Sequence, residues 1–281
     1  MKTIKVFYMP EQTAKGCTSF SPSAGKPDEV VKSWIEQGYP IEIVSFEPLT
    51  REQLYQAHAK TYIDGLLDCT IANGFGNTSE SVAASLPYTT GSFVAAALHA
   101  FKTGETTASP TSGFHHALWD RGSGFCSIEG LAISVVMLLK AGAKKVGIFD
   151  LDAHTPQTMD IIERLGLQDR VFHYSFGGAG VSKRNAADWL KSLSKNVCKA
   201  ADCDVLLFQA GADPHIDDPL GGALTSEQMR MRDRIVFQCA KRLGIPVAWN
   251  LAGGYQDPLQ KVLDIHDATM EECVRVYGKS E

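Results

Sequence analysis

Short apolar segments that alternate with longer helical segments constrain the fold of this chain more than any other feature of its sequence. From residue 127 onward, apolar segments predict strands at 145–149, 170–176, 205–209 and 246–251. Helices are predicted around them, at 127–141, 159–165, 185–201, 225–243 and 258–277. Strands that alternate with helices of about ten residues or more form a parallel sheet with helices on both faces. The pattern therefore predicts an α/β fold of three layers with a central, mainly parallel sheet.

The first part of the chain has a less regular pattern. Segments 4–9 and 41–46 are predicted to be strands, with a helix between them at 27–38. Segment 73–92 has many small residues and little periodicity. It is therefore predicted to be a long loop that leads into a helix at 93–101.

Composition excludes several classes of protein. The 281 residues include 27 basic and 32 acidic ones, and the net charge of −5 argues against a nucleic-acid surface. The apolar stretch 131–139 is much shorter than the roughly 20 residues that cross a membrane. The N-terminal sequence MKTIKVFYMP lacks the apolar region of a signal peptide. Because no repeat or long linker divides it, the chain is predicted to be one cytoplasmic domain over residues 1–281 that binds neither nucleic acid nor membrane.

Seven cysteines are scattered along the chain, and no two have the CxxC spacing of a thiolate metal site. An odd, dispersed set also argues against a disulfide framework and indicates a reducing compartment. Most of them are expected to be small buried side chains. They are Cys17, Cys69, Cys126, Cys198, Cys203, Cys239 and Cys273.

Carboxylate and imidazole side chains follow two of the predicted strands. Asp150, Asp152 and His154 alternate at a spacing of two, so continued extended geometry would direct all three to one point. Asp213 follows another strand, at the corresponding edge of the sheet. Buried carboxylates in this number need a compensating cation. Asp152, His154 and Asp213 therefore predict a three-ligand site with a position left for water, as in a catalytic zinc centre.

Further chemically useful residues lie near the same edge. The adjacent His115 and His116 follow Gly113, whose flexibility would let both histidines reach one site. Tyr255 follows two glycines after the last strand, which would present its hydroxyl at the sheet edge.

Five motifs occur along the chain in the order FHHA, GFC, DLDAH, GAD followed by DPLGG, and LAGGY. Together with AHAKTYIDGLL and LTSEQMRMRDRIVF, they cover most of the sequence. The sequence resembles the histone deacetylase and acetylpolyamine amidohydrolase family, which has an arginase-like α/β fold. The resemblance implies a zinc-dependent deacetylase, an amidohydrolase that removes acetyl or another short acyl group from an acyl-lysine or acylpolyamine.

The resemblance also implies roles for individual residues. One zinc ion per chain would be held by Asp152, His154 and Asp213. The catalytic residues would be His115, His116, Tyr255 and Asp150. The substrate would contact Gly124, Phe125, Leu220 and Gly253. A potassium ion is an additional expectation, near Asp150, Asp152, His154 and Ser175.

The implied chemistry gives these residues separate duties. Zinc would polarise the amide carbonyl and activate a water. His116 would transfer the proton, with His115, held by Asp150, as its electrostatic and orienting partner. Tyr255 would donate a hydrogen bond to the developing oxyanion. The substrate would be a small-molecule or peptide acyl-amine, and the oligomeric state stays open.

Departures from the family pattern leave two alternatives open. Gln157 stands where the family has an Asp or Asn that supports the second histidine, and segment 127–130, with Glu129, stands where asparagines are usual. Both changes are compatible with a catalytically weakened protein that binds acyl-amines. The run DPHIDDP at 213–219 suggests instead a binuclear manganese ureohydrolase, although that chemistry needs an Asp where Pro156 stands.

Overall fold

The computed structural model describes residues 2–16 and 19–278, and its strands form a single seven-stranded sheet. The strands are β1 (Ile4–Phe7), β2 (Ile41–Val44), β3 (Thr107–Ser109), β4 (Val146–Asp150), β5 (Val171–Ser175), β6 (Val205–Gln209) and β7 (Val247–Asn250). Their order across the sheet is β2-β1-β3-β7-β6-β4-β5, and every neighbouring pair is parallel. The predicted α/β fold is confirmed.

Helices cover both faces of this sheet. They are α1 (Lys26–Glu36), α2 (Arg51–Leu54), α3 (Lys60–Leu67), α4 (Glu80–Thr103), α5 (Gly130–Lys140), α6 (Thr158–Arg164), α7 (Ala186–Cys198), α8 (Ser226–Leu243) and α9 (Gln260–Tyr277). Apolar residues of α1, α7, α8 and α9 form one core cluster, and those of α3 to α6 form the other.

Successive residues of the central strands point to opposite faces, and the core divides accordingly. In β6, Leu206 and Phe208 pack in the first cluster, whereas Val205 and Leu207 pack in the second. The whole strand is buried. Burial on both faces explains why this segment is continuously apolar in the sequence instead of alternating with polar residues.

The prediction of a long loop over 73–92 is wrong for most of that segment. The structure has one continuous helix, α4, over Glu80–Thr103. The helix begins after Ser79, whose Oγ accepts a hydrogen bond from the backbone N–H of Val82. A side chain of this kind satisfies a donor that the first turn of a helix leaves unpaired.

Small residues weaken the apolar period of this helix in the sequence, because several of them are required for close packing. A Cβ at Gly91 would lie 3.2 Å from the carbonyl oxygen of Glu47, and the hydroxyl of Ser92 donates to the carbonyl of Phe7. These positions face the protein interior without adding to an apolar period. Pro87 lies inside the helix, where sequence patterns normally indicate a break.

Strand β3 and helices α2 and α3 were also not predicted from the periodicity of the sequence. β3 has only three residues, with the polar sequence TAS, yet all three are buried. The hydroxyl of Thr107 donates to the carbonyl of Ala96 in α4, and Ser109 shares a hydrogen bond with Ser92. These bonds allow polar side chains to lie in the core, where a strand is expected to be apolar.

No helix within the described residues is long and apolar enough to cross a membrane. The cysteines of that part of the chain are free thiols, and most of them are buried. Cys17 lies outside the described residues. The cytoplasmic location and the single domain over 1–281 stay predictions.

Candidate active site

The motifs singled out in the sequence lie at one edge of the sheet. β3, β7, β6 and β4 are consecutive neighbours and all end at this edge. The segment that contains the two histidines follows β3, LAGGY continues from β7, GAD follows β6, and DLDAH continues from β4. Ligands of open parallel sheets bind beyond the carboxyl ends of the strands, so this edge is the candidate site.

Asp152, His154 and Asp213 come together as the sequence predicted. Their ligand atoms all lie within 4.8 Å of one another. His154 Nδ1 is 2.9 Å from Asp152 Oδ1 and 2.9 Å from Asp213 Oδ2. Both carboxylates are buried, whereas the His154 side chain is 31% exposed. The cluster therefore opens to solvent on the histidine side.

The electrostatics of this cluster fit a cation. Only the contact of His154 with Asp152 has hydrogen-bond geometry, and Asp213 Oδ2 is a buried acceptor without a hydrogen-bond partner. Burial and the adjacent Asp152 carboxylate raise the pKa of Asp213. The hydrogen bond to Asp152 and the proximity of Asp213 raise the pKa of His154 to about 11. A divalent metal held by these three residues would compensate both buried carboxylates.

Asp150 has a different position from the one that extended geometry predicted. β4 ends at Asp150 and the chain then bends, so this carboxylate does not join the cluster of three. Asp150 Oδ2 instead lies 2.6 Å from His115 Nδ1, and Asp150 Oδ1 accepts a hydrogen bond from Gln209 Nε2. The prediction that spacing alone would bring Asp150, Asp152 and His154 to one point is wrong, because the strand does not continue.

His115 is buried between two carboxylates. Its Nε2 lies 3.5 Å from Asp152 Oδ1, on the side away from Asp150. Burial by itself would lower the pKa of His115, but Asp150 and Asp152 outweigh that effect and raise it to about 9. This histidine therefore favours the charged form.

His116 is in a different environment. Its Nδ1 lies 2.8 Å from Gln157 Oε1, and Gln157 Nε2 donates to the carbonyl of Thr155. The amide network thus assigns the proton to Nδ1 and leaves Nε2 as the basic nitrogen. Burial and the neighbouring His115 lower the pKa of His116. Of the two histidines, His116 is the one suited to accept a proton near neutral pH.

Tyr255 lines the same narrow pocket as the two histidines. Its ring is 5.6 Å from that of Phe125 and 6.4 Å from that of His154, measured between centroids. Burial, with Asp152 and Asp213, raises the pKa of Tyr255, so the hydroxyl stays protonated as a donor. The pocket has a volume of about 10 Å³. It is lined by Ser23, Gly113, His115, His116, Gly124, Phe125, Cys126, Asp152, Gly253 and Tyr255.

A family model described as histone deacetylase domain matches residues 23–178 and 158–271. The chain belongs to the histone deacetylase family.

Three curated relatives of this deacetylase-family chain have similar identities. Histone deacetylase 2 of Arabidopsis thaliana is 26% identical over 174 residues, which cover 54% of this chain and 44% of that protein. Acetylpolyamine amidohydrolase 1 of Pseudomonas aeruginosa is 27% identical over 171 residues, covering 50% and 48%. An uncharacterised protein of Picosynechococcus sp. is 28% identical over 187 residues, covering 59% and 61%. The chain spans about half the length of the curated relatives it matches.

A solved structure supports the same fold. The crystal structure of the HDA15 HD domain matches with a TM-score of 0.78 at 16% sequence identity. The match covers 98% of this chain and 90% of that one. At this identity the likeness shows the deacetylase-like fold alone.

Leu220, predicted to contact substrate, and Ser175, predicted near a potassium ion, are not among the residues that line the pocket of this deacetylase-family chain. Leu220 is 42% exposed and lies outside the pocket wall. Ser175 pairs with Asp150 in the register of β4 and β5, and its Oγ accepts a hydrogen bond from the N–H of Gly178. A potassium ion at this position stays a prediction.

Gly253 leaves the space that the carboxylates of Asp152 and Asp213 occupy. A Cβ on Gly253 would lie 2.6 Å from Asp213 Oδ2 and 2.7 Å from Asp152 Oδ2. The N–H of Gly253 also donates to Asp152 Oδ2 over 2.9 Å. A side chain at this position would displace both carboxylates.

We expect Gly253→Ala to weaken zinc binding by about 10- to 100-fold, the size of effect seen when groups that orient metal ligands are changed. The affinity would be measured by competition with a chromophoric chelator. Gly25→Ala is the matched control, because a Cβ there would meet nothing closer than 4.0 Å. Unchanged zinc affinity of Gly253→Ala would place the metal away from Asp152 and Asp213.

Sequence reasoning missed two buried cations that support the site. Lys26 Nζ donates to the carbonyl of Ala252 over 2.8 Å, and burial lowers the pKa of Lys26 to about 8. Arg232 Nη1 donates to the carbonyls of Leu151 and Gly211, which precede metal-cluster residues in their loops. Nothing in the sequence marks either residue, because both are separated from their partners by long stretches of chain.

Proposed function

We propose that this chain is a zinc-dependent amidohydrolase that removes acetyl or another short acyl group from an acyl-lysine or a similar acyl-amine. The observation that carries the proposal is the close placement of possible metal ligands and possible proton donors and acceptors at one pocket. The cluster of Asp152, His154 and Asp213 lies beside a narrow pocket that is also lined by His116 and Tyr255. Zinc, when bound, supplies a Lewis acid for the carbonyl and lowers the pKa of water toward neutrality.

The residues of the chain would divide the remaining work. The Nε2 atom of His116 accepts a proton from the attacking water, and His116 later gives a proton to the leaving amine. His115, paired with Asp150, supplies positive charge next to the reacting atoms, since the pKa of His115 is raised to about 9. Tyr255 donates a hydrogen bond to the oxygen of the scissile carbonyl as negative charge develops on it.

Glu129 gives no support to a catalytically weakened protein. Its side chain is buried at the start of α5, where it accepts hydrogen bonds from the N–H of Ala132 and the hydroxyl of Thr158. It does not line the pocket. Gln157, in contrast, contacts His116 directly, so the weakened alternative depends on the strength of that contact.

We expect Gln157→Asp to raise the pKa of His116, because a carboxylate would stabilise the imidazolium ion more than an amide does. A general base must be neutral, so activity falls as pH drops below its pKa. The acid limb of the pH profile of kcat/KM is therefore expected to move to higher pH, by about one unit or more. Gln157→Glu adds the same negative charge while keeping the length of the native side chain and is therefore a useful comparison. A pH profile that does not move would show that His116 is not the general base.

The ureohydrolase alternative finds little support. Within residues 2–16 and 19–278, the one group of three or more metal-ligand side chains is that of Asp152, His154 and Asp213. His215 Nε2 lies 2.9 Å from the hydroxyl of Ser226, and Asp218 accepts two backbone hydrogen bonds. These residues of the 213–219 run are therefore already engaged.

The proposed activity is tested on zinc-loaded protein with a panel of amides that varies the acyl group and the amine. Release of acetate or a longer carboxylic acid from acyl-lysine or acylpolyamine supports it. Tight hydroxamate binding without hydrolysis of any member would favour an acyl-amine-binding protein. Two manganese ions per chain, with urea released from a guanidino substrate, would favour the ureohydrolase.

A further inference from the structure

Four aromatic rings form a continuous row at the pocket, which we call the aromatic rim: Phe20, Tyr255, Phe125 and Phe75. Ring centroids are 6.1 Å apart between Phe20 and Tyr255, 5.6 Å between Tyr255 and Phe125, and 5.9 Å between Phe125 and Phe75. Tyr255 and Phe125 also line the pocket itself. The row therefore extends the wall of the proposed reaction site outward.

Phe20 is the exposed end of the aromatic rim. Its ring stacks on Tyr255 with an angle of 17° between the planes, yet 63% of the residue remains exposed. Such a ring contributes little to the core, because most of its surface remains exposed. Exposed apolar groups next to a reaction site are typical of surfaces that bind a ligand.

A second exposed apolar residue, Leu220, is linked through its backbone to the same tyrosine. Asp218 Oδ1 accepts a hydrogen bond from the N–H of Leu220, and Asp218 Oδ2 accepts one from the N–H of Tyr255. One carboxylate thus ties both backbones together, and Leu220 is 42% exposed. Of the six large exposed hydrophobic residues in the described part of the chain, Phe20 stacks on Tyr255 and Leu220 is linked to it through Asp218.

Charge distinguishes the amines that this surface can accept. An adjoining cavity of about 40 Å³ shares Ser23, Gly113 and Phe125 with the pocket, and no charged residue lines it. The Asp218 carboxylate is buried and occupied by two backbone N–H groups. The residues that line this cavity therefore offer no carboxylate to the further ammonium groups of a polyamine chain. An apolar side chain would instead bury its surface against the rings.

We propose that Phe20 is a specificity-determining residue and that the aromatic rim binds an aromatic or aliphatic group on the amine side of the scissile bond. This inference rests on the proposed amidohydrolase function. It assigns the site to acyl-lysine peptides with an apolar neighbour in preference to acylpolyamines.

The test compares two acetyl-lysine peptides that differ only in the residue after the lysine, Trp or Gly, together with N-acetylspermidine. Zinc-loaded wild-type protein is expected to prefer the Trp peptide by about tenfold in kcat/KM, mainly through KM. Phe20→Ala is expected to raise KM for the Trp peptide by about tenfold, and to affect the Gly peptide much less. Phe20→Trp is expected to keep the preference.

Ile35→Ala is the matched control, because Ile35 is also an exposed apolar residue, 58% exposed, on the outer side of α1. It is expected to leave all three substrates unchanged. Retention of the Trp preference by Phe20→Ala would overturn the inference and leave the amidohydrolase function standing. A larger loss for acetylspermidine than for the Trp peptide would also overturn it, since it would show that the ring binds a cation. If the wild type hydrolyses neither these three substrates nor any other acyl-amide in the wider panel, both proposals are overturned.

Discussion

Tyr255→Phe is expected to lower kcat by about 100- to 1000-fold, the cost of removing one oxyanion donor in other enzymes. The substitution deletes the hydroxyl and keeps the ring, so packing against Phe125 and Phe20 is retained. The backbone hydrogen bond from Tyr255 N–H to Asp218 is also retained. The loss therefore reports the interaction of the hydroxyl with developing charge, and KM is expected to change far less than kcat.

Tyr277→Phe provides the matched control for this experiment. The hydroxyl of Tyr277 also donates a hydrogen bond, to the carbonyl of Phe237, but it lies at the end of α9 and outside the pocket. Its removal is expected to lower stability slightly and to leave kcat unchanged. Zinc content, measured by mass spectrometry, should be equal in wild type and both variants. A Tyr255→Phe enzyme with wild-type kcat would exclude the hydroxyl from catalysis.

His116→Ala is the second large effect, and we expect it to lower kcat by about 100- to 10,000-fold, the range attributed to general acid–base catalysis. His116 makes its hydrogen bond to Gln157, which is not a member of the metal cluster. Zinc content and thermal stability are therefore expected to stay close to those of the wild type. The acid limb of the pH profile of kcat/KM should also disappear, because the group that titrates there is gone.

His115→Ala is the informative comparison, because it leaves the buried Asp150 without its imidazole partner. Asp150 then retains only its hydrogen bonds from Gln209 and the backbone. Breaking a buried ion pair on one side is strongly destabilising. A lower melting temperature is thus expected for His115→Ala and not for His116→Ala. The opposite pattern, or a decrease below tenfold in kcat for His116→Ala, would exchange the roles of the two histidines.

The sequence was most informative where short-range chemistry and strand periodicity coincide. The segments around β4, β6 and β7 are apolar because they are buried on both faces, and the chain positions of these strands were predictable for that reason. The side chains that follow β4 and β6 were identified because carboxylates and an imidazole rarely stand together at the end of a buried strand. The order of the five motifs carried the resemblance to the deacetylase family, and the resemblance added roles for individual residues.

Predictions from the sequence were wrong at positions whose structure depends mainly on contacts that local pattern does not reveal. Helix α4 has small residues where it packs closely on β1 and the loop at Glu47, so its apolar period is weak. Extended geometry predicted that Asp150 would point to the same place as Asp152 and His154, but the bend after β4 turns it toward His115, the pairing that the family resemblance implied. Glu129 was suspected at the pocket and instead begins a helix. For α4 and Asp150 the deciding contacts lie far away in sequence, whereas Glu129 caps its own helix through the nearby N–H of Ala132.

The sequence by itself determined the α/β class, the approximate ends of the central strands and the candidate metal ligands Asp152, His154 and Asp213, because burial and charge at these positions follow from local pattern. The tertiary structure alone decided which strand ends become neighbours. β4, β6 and β7 are adjacent although helices separate them in the chain, and this brings Asp152, Asp213 and Gly253 into contact. It also decided that Phe20, from a loop before α1, stacks on Tyr255 after β7. Such contacts depend on how the layers pack, which no local stretch of sequence specifies.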